Sequence, residues 1–211
     1  MFSVIWHHFE AGGWAMWAIL FWLIMTLGFG IERLLYLSGA HQRVDVFVAA
    51  IHQCLKGLGG PQKAIQVCNQ AKSPLARVVR GGLLRVHQGP EGVQTGMDEA
   101  ALREMPQITK RVGYLALFAN LSMLSGLLGT IVGLIKSFAS ISSESIDSAM
   151  KARYLAEGIS EAMNCTAFGL LSAIIALVFY AGVSAWASNL EDSIHRESVH
   201  VYNLLVKLDI K

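Results

Sequence analysis

Three stretches without a single Asp, Glu, Lys or Arg constrain this chain more than anything else in it. They run from Ala11 to Ile31, from Val112 to Ile135 and from Ala162 to Leu190, and hold 21, 24 and 29 residues. An α-helix crosses about 30 Å of hydrocarbon with roughly 20 apolar residues. Lipid offers no water to satisfy backbone amides, so a spanning segment must be a helix or part of a closed barrel. Runs of this length without charge are rare in soluble cores. The expectation is an all-α integral membrane protein with three transmembrane helices and a helical cytoplasmic domain. A charged content of 15%, against about 25% in soluble domains, agrees with that class.

Charge placement predicts orientation. Basic side chains collect in cytoplasmic loops. Between Arg33 and Arg111 lie 11 of the 17 Lys and Arg, with five acids. The connection between the second and third runs has only Lys136, Lys151 and Arg153, beside Glu144, Asp147, Glu157 and Glu161. The expected layout is a periplasmic N-terminus over 1–10, a span over 11–36 and a cytoplasmic loop over 37–111. A second span over 112–138, a periplasmic hairpin over 139–161, a third span over 162–190 and a cytoplasmic C-terminal helix over 191–211 complete it. The first run is not expected to be a signal peptide, because no Lys or Arg precedes it. Trp6, Trp14, Trp17 and Trp22 suit its outer interface, and His7-His8 reads as an interfacial pair.

The basic loop faces the anionic inner leaflet, and with Phe47 as its sole aromatic from the Phe, Tyr and Trp set it offers no base-stacking surface. No nucleic acid is expected. Cys54, Cys68 and Cys165 have no metal-ligand spacing and read as small buried residues; neither a metal nor another cofactor is expected. Gly57 to Gly60 lacks the Lys-Ser or Lys-Thr of a phosphate-binding loop. No nucleophile–base pair stands out, so an enzyme is not expected.

Breakers divide the loop. Val44, Phe47, Val48, Ile51 and Leu55 predict an amphipathic helix over 43–56, ended by Gly57-Leu58-Gly59-Gly60-Pro61. A second helix follows over 62–71. Ser73-Pro74 predicts an N-cap with proline at the first position of a third, which runs to His87. Gly89-Pro90 breaks it. A fourth pattern begins at Glu91 and joins the second span, with a kink at Pro106.

Small residues form one face on each later span. Ser122, Gly126, Gly129, Thr130, Gly133 and Ser137 recur at spacings of three and four, as do Gly158, Ala162, Thr166, Gly169, Ala173 and Ala176. Such faces let helices pack closely in lipid, or line a pore. Thr130 and Thr166 stand five or six residues inside the charges that bound their runs, roughly 8 to 9 Å at 1.5 Å per residue. Two antiparallel helices would hold both hydroxyls at one depth. Each could equally bond its own backbone. A proton relay normally needs an intramembrane acid, and these runs have none. Glu161 at the mouth of the third span is a candidate ion-access group. A scaffold that conducts nothing stays open on these residues alone.

The segment Gly126-Leu127-Leu128-Gly129-Thr130-Ile131-Val132-Gly133 resembles the G-L-x-G-T-x-x-G core of the ExbB/TolQ/MotA proton-channel subunits. The run from Gly158-Ile159-Ser160-Glu161-Ala162 to Thr166-Ala167-Phe168-Gly169-Leu170 is similar to their G-I-x-E-A-x-x-x-T-A-x-G-L motif. Three spans with a long first loop suit ExbB and TolQ better than the four-span flagellar branch. The resemblance implies a homopentameric ring around single-span ExbD/TolR-like partners that supply an intramembrane Asp. Thr130 and Thr166 would line the ion pathway, with Glu161 at its access and Gly126, Gly129, Gly133, Gly169 and Ala173 packing helices or lining the pore. It further implies the bacterial inner membrane and a proton-motive-force-driven motor. The motor would act through a TonB/TolA-like chain on outer-membrane transport or the envelope, or drive gliding motility or adhesion. Met123 and Ile175 stand where relatives commonly have proline, and Asn164 replaces a usually apolar residue.

Overall fold

The computed structural model describes residues 13–56, 60–71, 73–141 and 147–209. The stretch 1–10 expected to be periplasmic, with Trp6 and the His7-His8 pair, lies outside these residues, as do 57–59 of the expected breaker. All regular structure described is helical: α1 Gly13–Lys56, α2 Gly60–Gln70, α3 Pro74–Leu83, a 3-10 turn at Val86–Gln88, α4 Gly89–Thr109, α5 Val112–Ile141 and α6 Ser148–Asp209. Three helical stretches are long and apolar enough to cross a membrane. The chain divides into two compact units. One has described residues 13–31 and 111–182; the other has 32–110 and 183–209.

Local reasons account for most elements. No helix ends near residue 36, because one buried stripe of Leu37, Ala40, Val44, Phe47 and Ile51 continues at helical spacing. The separate helix expected from Arg43 is therefore part of α1. Ser73 takes the N-cap position of α3 with extended φ/ψ, followed by Pro74, but its side chain makes no capping bond. Pro106 is accommodated inside α4, on an exposed face. The break before the second span falls instead at Lys110–Arg111, where Arg111 has φ +66°. Non-glycine residues rarely adopt this left-handed conformation, and the Tyr114 amide closes the turn on the Arg111 carbonyl at 3.2 Å. Residues expected in the hairpin are helical at both ends, since α5 reaches Ile141 and α6 starts at Ser148.

In the unit of 32–110 and 183–209, α3 and α4 meet backbone to backbone. A Cβ at Gly81 would collide with the Gly96 carbonyl oxygen, and one at Gly96 with that of Gly81. Arg77 lies 2.5 Å from the Glu104 carboxylate, while Glu99 takes Arg85 at 2.5 Å and Arg103 at 2.6 Å. Arg33 donates to the Gln107 carbonyl at 3.4 Å and stacks 5.2 Å over the Tyr36 ring.

Cys68 is buried here and Cys54 half-buried. Burial pushes the Cys68 thiol up to about 12, against the opposing pull of Arg80. Only a thiolate reacts with maleimides or iodoacetamide. At pH 8 the Cys68 thiolate fraction is then about 10⁻⁴, and it rises tenfold per pH unit. Mass mapping of iodoacetamide-treated native protein at pH 8 should find Cys54 modified at least tenfold faster than Cys68. Equal rates would contradict the burial.

Candidate ion-pathway site

Helices α5 and α6 pack along a seam of very small residues. A Cβ at Gly126 would lie 2.9 Å from the Cys165 carbonyl oxygen and 3.1 Å from Gly169 Cα. One at Gly169 would lie 2.9 Å from the Ser122 carbonyl oxygen and 3.0 Å from Gly126 Cα. One at Gly129 would meet Cys165 Cβ at 2.9 Å, and one at Gly133 would meet Ala162 Cβ at 3.3 Å. Ser172 donates to Ser122 Oγ at 3.1 Å in the buried interior, and Gly158 abuts Ser137. Ala173 closes the series in a buried cluster with Ala119 and Ala176. Small residues thus serve as packing surface between the chain's own helices. Gly126, Gly129, Gly133, Gly169 and Ala173 are all buried.

This seam sets a register. Ser122 meets Ser172, Gly126 meets Gly169, Gly129 meets Cys165, and Gly133 meets Ala162. Stepping forward along α5 steps back equally along α6. Thr130 therefore lies level with Asn164 and Cys165, one to two residues from Thr166. That offset is about 1.5 to 3 Å at 1.5 Å per residue.

The start of α1 marks one flank of the hairpin. Ala15 Cβ sits 2.8 Å from where Gly129 would carry a Cβ, and Ala15, Met16, Ile19 and Cys165 form one buried cluster with Phe168 against it. Further along, the Trp22 indole donates to Ser125 Oγ at 3.2 Å and stacks on Phe118 at 6.0 Å. Thr130 follows Gly129 and Thr166 follows Cys165, each by one residue and so about 100° round its helix. In this antiparallel pair both turns lead to the same side, the flank away from α1. Thr130 and Thr166 are half-buried there. Around them lie exposed Met123, Leu127, Ile159, Met163 and Leu170.

Thr130 Oγ1 donates to the Leu127 carbonyl at 2.6 Å, the backbone bond open to any membrane threonine. That bond uses the hydroxyl proton and leaves oxygen lone pairs free. The hydroxyl is thereby a fixed acceptor, suited to a protonated carboxyl or a hydronium ion.

Glu161 stands apart from the threonine flank. Its Oε1 lies 2.7 Å from where a Cβ at Gly13 would be, at the first residue of α1. It also lines an open cleft of about 580 Å³ with Lys136, Ser137, Ser140, Tyr154 and Glu157. Sequence reading missed Gly13, Ala15 and Trp22 as neighbours of this region, since nothing local signals a contact across more than 100 residues. Most of Trp6, Trp14, Trp17 and Trp22 are expected to be interfacial anchors, and Trp22 is the one that reaches a helix neighbour, Ser125.

The model of the MotA/TolQ/ExbB proton channel family matches residues 70–196, which include both threonines and Glu161. The chain belongs to this family. An ExbB homolog for biopolymer transport from Methanothermobacter thermautotrophicus is 24% identical over 190 residues, covering 87% of this chain and 64% of that protein. An ExbB-like biopolymer transport protein of Synechocystis is 31% identical over 170 residues, 80% of each chain. TolQ of the Haemophilus influenzae Tol-Pal system is 33% identical over 101 residues, 48% of this chain and 43% of TolQ. The chain thus spans 64% of the Methanothermobacter relative's length. Together with three long apolar helices, membership of the MotA/TolQ/ExbB family makes this a multi-pass inner-membrane protein.

Proposed function

We propose that this chain is the ring subunit of a proton-motive-force-driven motor. Five copies surround single-span ExbD/TolR-like partner helices, whose intramembrane Asp carries the proton. The observation that carries the reading is Thr130 and Thr166 at one level on one flank of the α5–α6 hairpin. A flank of two hydroxyl acceptors in an exposed apolar surface suits a partner helix with one protonatable group. The chain's own charge-free runs include no such group, and an acid there would be costly unless partnered.

Glu161, on the polar cleft at the hairpin end, gathers ions at the access to this path. The distribution of Lys and Arg orients the termini, with the N-terminus periplasmic and the C-terminus cytoplasmic. One proton crossing releases about 2.3 kcal/mol per 100 mV, several times thermal energy and enough for a mechanical step. The step turns the partner against the ring and delivers force to a TonB/TolA-like chain, or to a gliding or adhesion machine of the same family.

Co-expression with a single-span partner bearing an intramembrane Asp, then native mass spectrometry, tests the architecture. The expected particle has five copies of this chain and at least one partner. A chain that stays monomeric, or a ring that excludes the partner, would overturn it.

A further inference from the structure

We propose that Gly13 is a positioning residue for Glu161, and that the first turn of α1 holds this carboxylate at the ion access. The inference rests on the reading of Glu161 as the access group. Three observations carry it. First, Glu161 Oε1 occupies the space that a side chain at residue 13 would need, 2.7 Å from the position of a Cβ. Second, Gly13 has φ +64°, a conformation glycine adopts without cost, so its missing side chain serves both the backbone and the carboxylate. Third, the start of α1 is anchored independently: Ala15 presses on Gly129 of α5 and joins Cys165 of α6 in one buried cluster.

The carboxylate thus rests on a fixed platform and faces a cleft with Lys136, Tyr154 and Glu157. The start of a helix favours negative charge, which holds Glu161 on its seat and away from the Lys136 ammonium. A side chain at residue 13 pushes the carboxylate off that seat, leaving it to pair with Lys136 and withdraw from incoming ions.

The test uses the full complex with its Asp-bearing partner in liposomes. Proton uptake is followed with an enclosed pH dye under a potassium diffusion potential. Gly13→Asn is the first variant, because Asn tolerates positive φ while filling the seat. Gly13→Ala, with a single methyl, is the second should the larger side chain prevent assembly. Uptake should fall by about tenfold or more, toward the roughly hundredfold that misplacing a functional group by about an ångström can cost, with the complex intact. Glu161→Asp retracts the carboxyl by one methylene. Combined with Gly13→Asn, it should restore uptake to the level of Glu161→Asp alone. Unchanged uptake in both Gly13 variants, or no recovery in the double variant, would overturn the positioning role. Glu161→Gln separates the two readings: full uptake in that variant removes Glu161 from the access, and this inference with it.

Discussion

Replacing Gly126 or Gly169 with valine should prevent the α5–α6 hairpin from closing. Each glycine faces the backbone of the other helix, and an added Cβ would stand 2.9 to 3.1 Å from a carbonyl oxygen or Cα. Backbone cannot rotate aside as a flexible side chain can. Valine adds two further methyls beyond that Cβ, so the helices must separate. Overpacking costs about 1 to 3 kcal/mol in ordinary cores. The cost here sits at the upper end or above it, because separation also disturbs the Ser122–Ser172 hydrogen bond and the packing of Gly129 on Cys165. In lipid, close packing is itself the main force joining helices. The yield of monodisperse complex in mild detergent should drop at least tenfold, with a lower melting temperature for what remains. Gly28→Ala is the control: among the described residues its added Cβ meets nothing within 4 Å beyond its chain neighbours and the backbone of its own helix, and it should leave yield unchanged. A normal yield of Gly126→Val would show that the seam is not packed as described.

How far the sequence foretold this hairpin depends on the residue. The runs 112–135 and 162–190 announced both helices, since charge is the costliest thing to place in lipid. Spacings of three and four put the small residues on one face, yet left open what that face meets. Packing and pore lining demand the same residue sizes, and only tertiary contacts such as Gly126–Gly169 separate them. Depth from the bounding charges of Lys136 and Glu161 brought Thr130 and Thr166 level, because both helices are regular between those charges and the threonines. The sequence places a kink at Pro106 and not the break at Arg111, as proline is the usual breaker and a left-handed arginine leaves no mark in composition. Gly13 carried no signal as a seat for Glu161, since a contact between residues 13 and 161 belongs to tertiary packing alone.

Removing both hydroxyls should cut ion flow about a hundredfold and spare the assembly. Thr166→Val preserves side-chain shape. Thr130→Ala deletes the bond to the Leu127 carbonyl, which keeps its helical partner four residues on. Neither change disturbs the glycine seam, because both threonines lie on its edge and not within it. What is lost is the pair of acceptors. A hydrogen bond to a charged or protonated group contributes about 1.5 to 3 kcal/mol, so each lost acceptor slows transfer about tenfold or more, and the pair about a hundredfold. Serine keeps the hydroxyl, and Thr130→Ser with Thr166→Ser should retain most of the flow. A subunit that served only as a membrane scaffold would lose stability in these variants, if anything, and show no selective loss of transport.

The decisive measurement is proton flux through the purified complex of this chain and its Asp-bearing partner in liposomes, compared between the natural chain and Thr130→Ala/Thr166→Val. The two-hydroxyl pathway predicts flux about a hundredfold lower in the variant, with the same subunit stoichiometry in the particle. Flux equal to that of the natural complex, in a particle of unchanged composition, would contradict it.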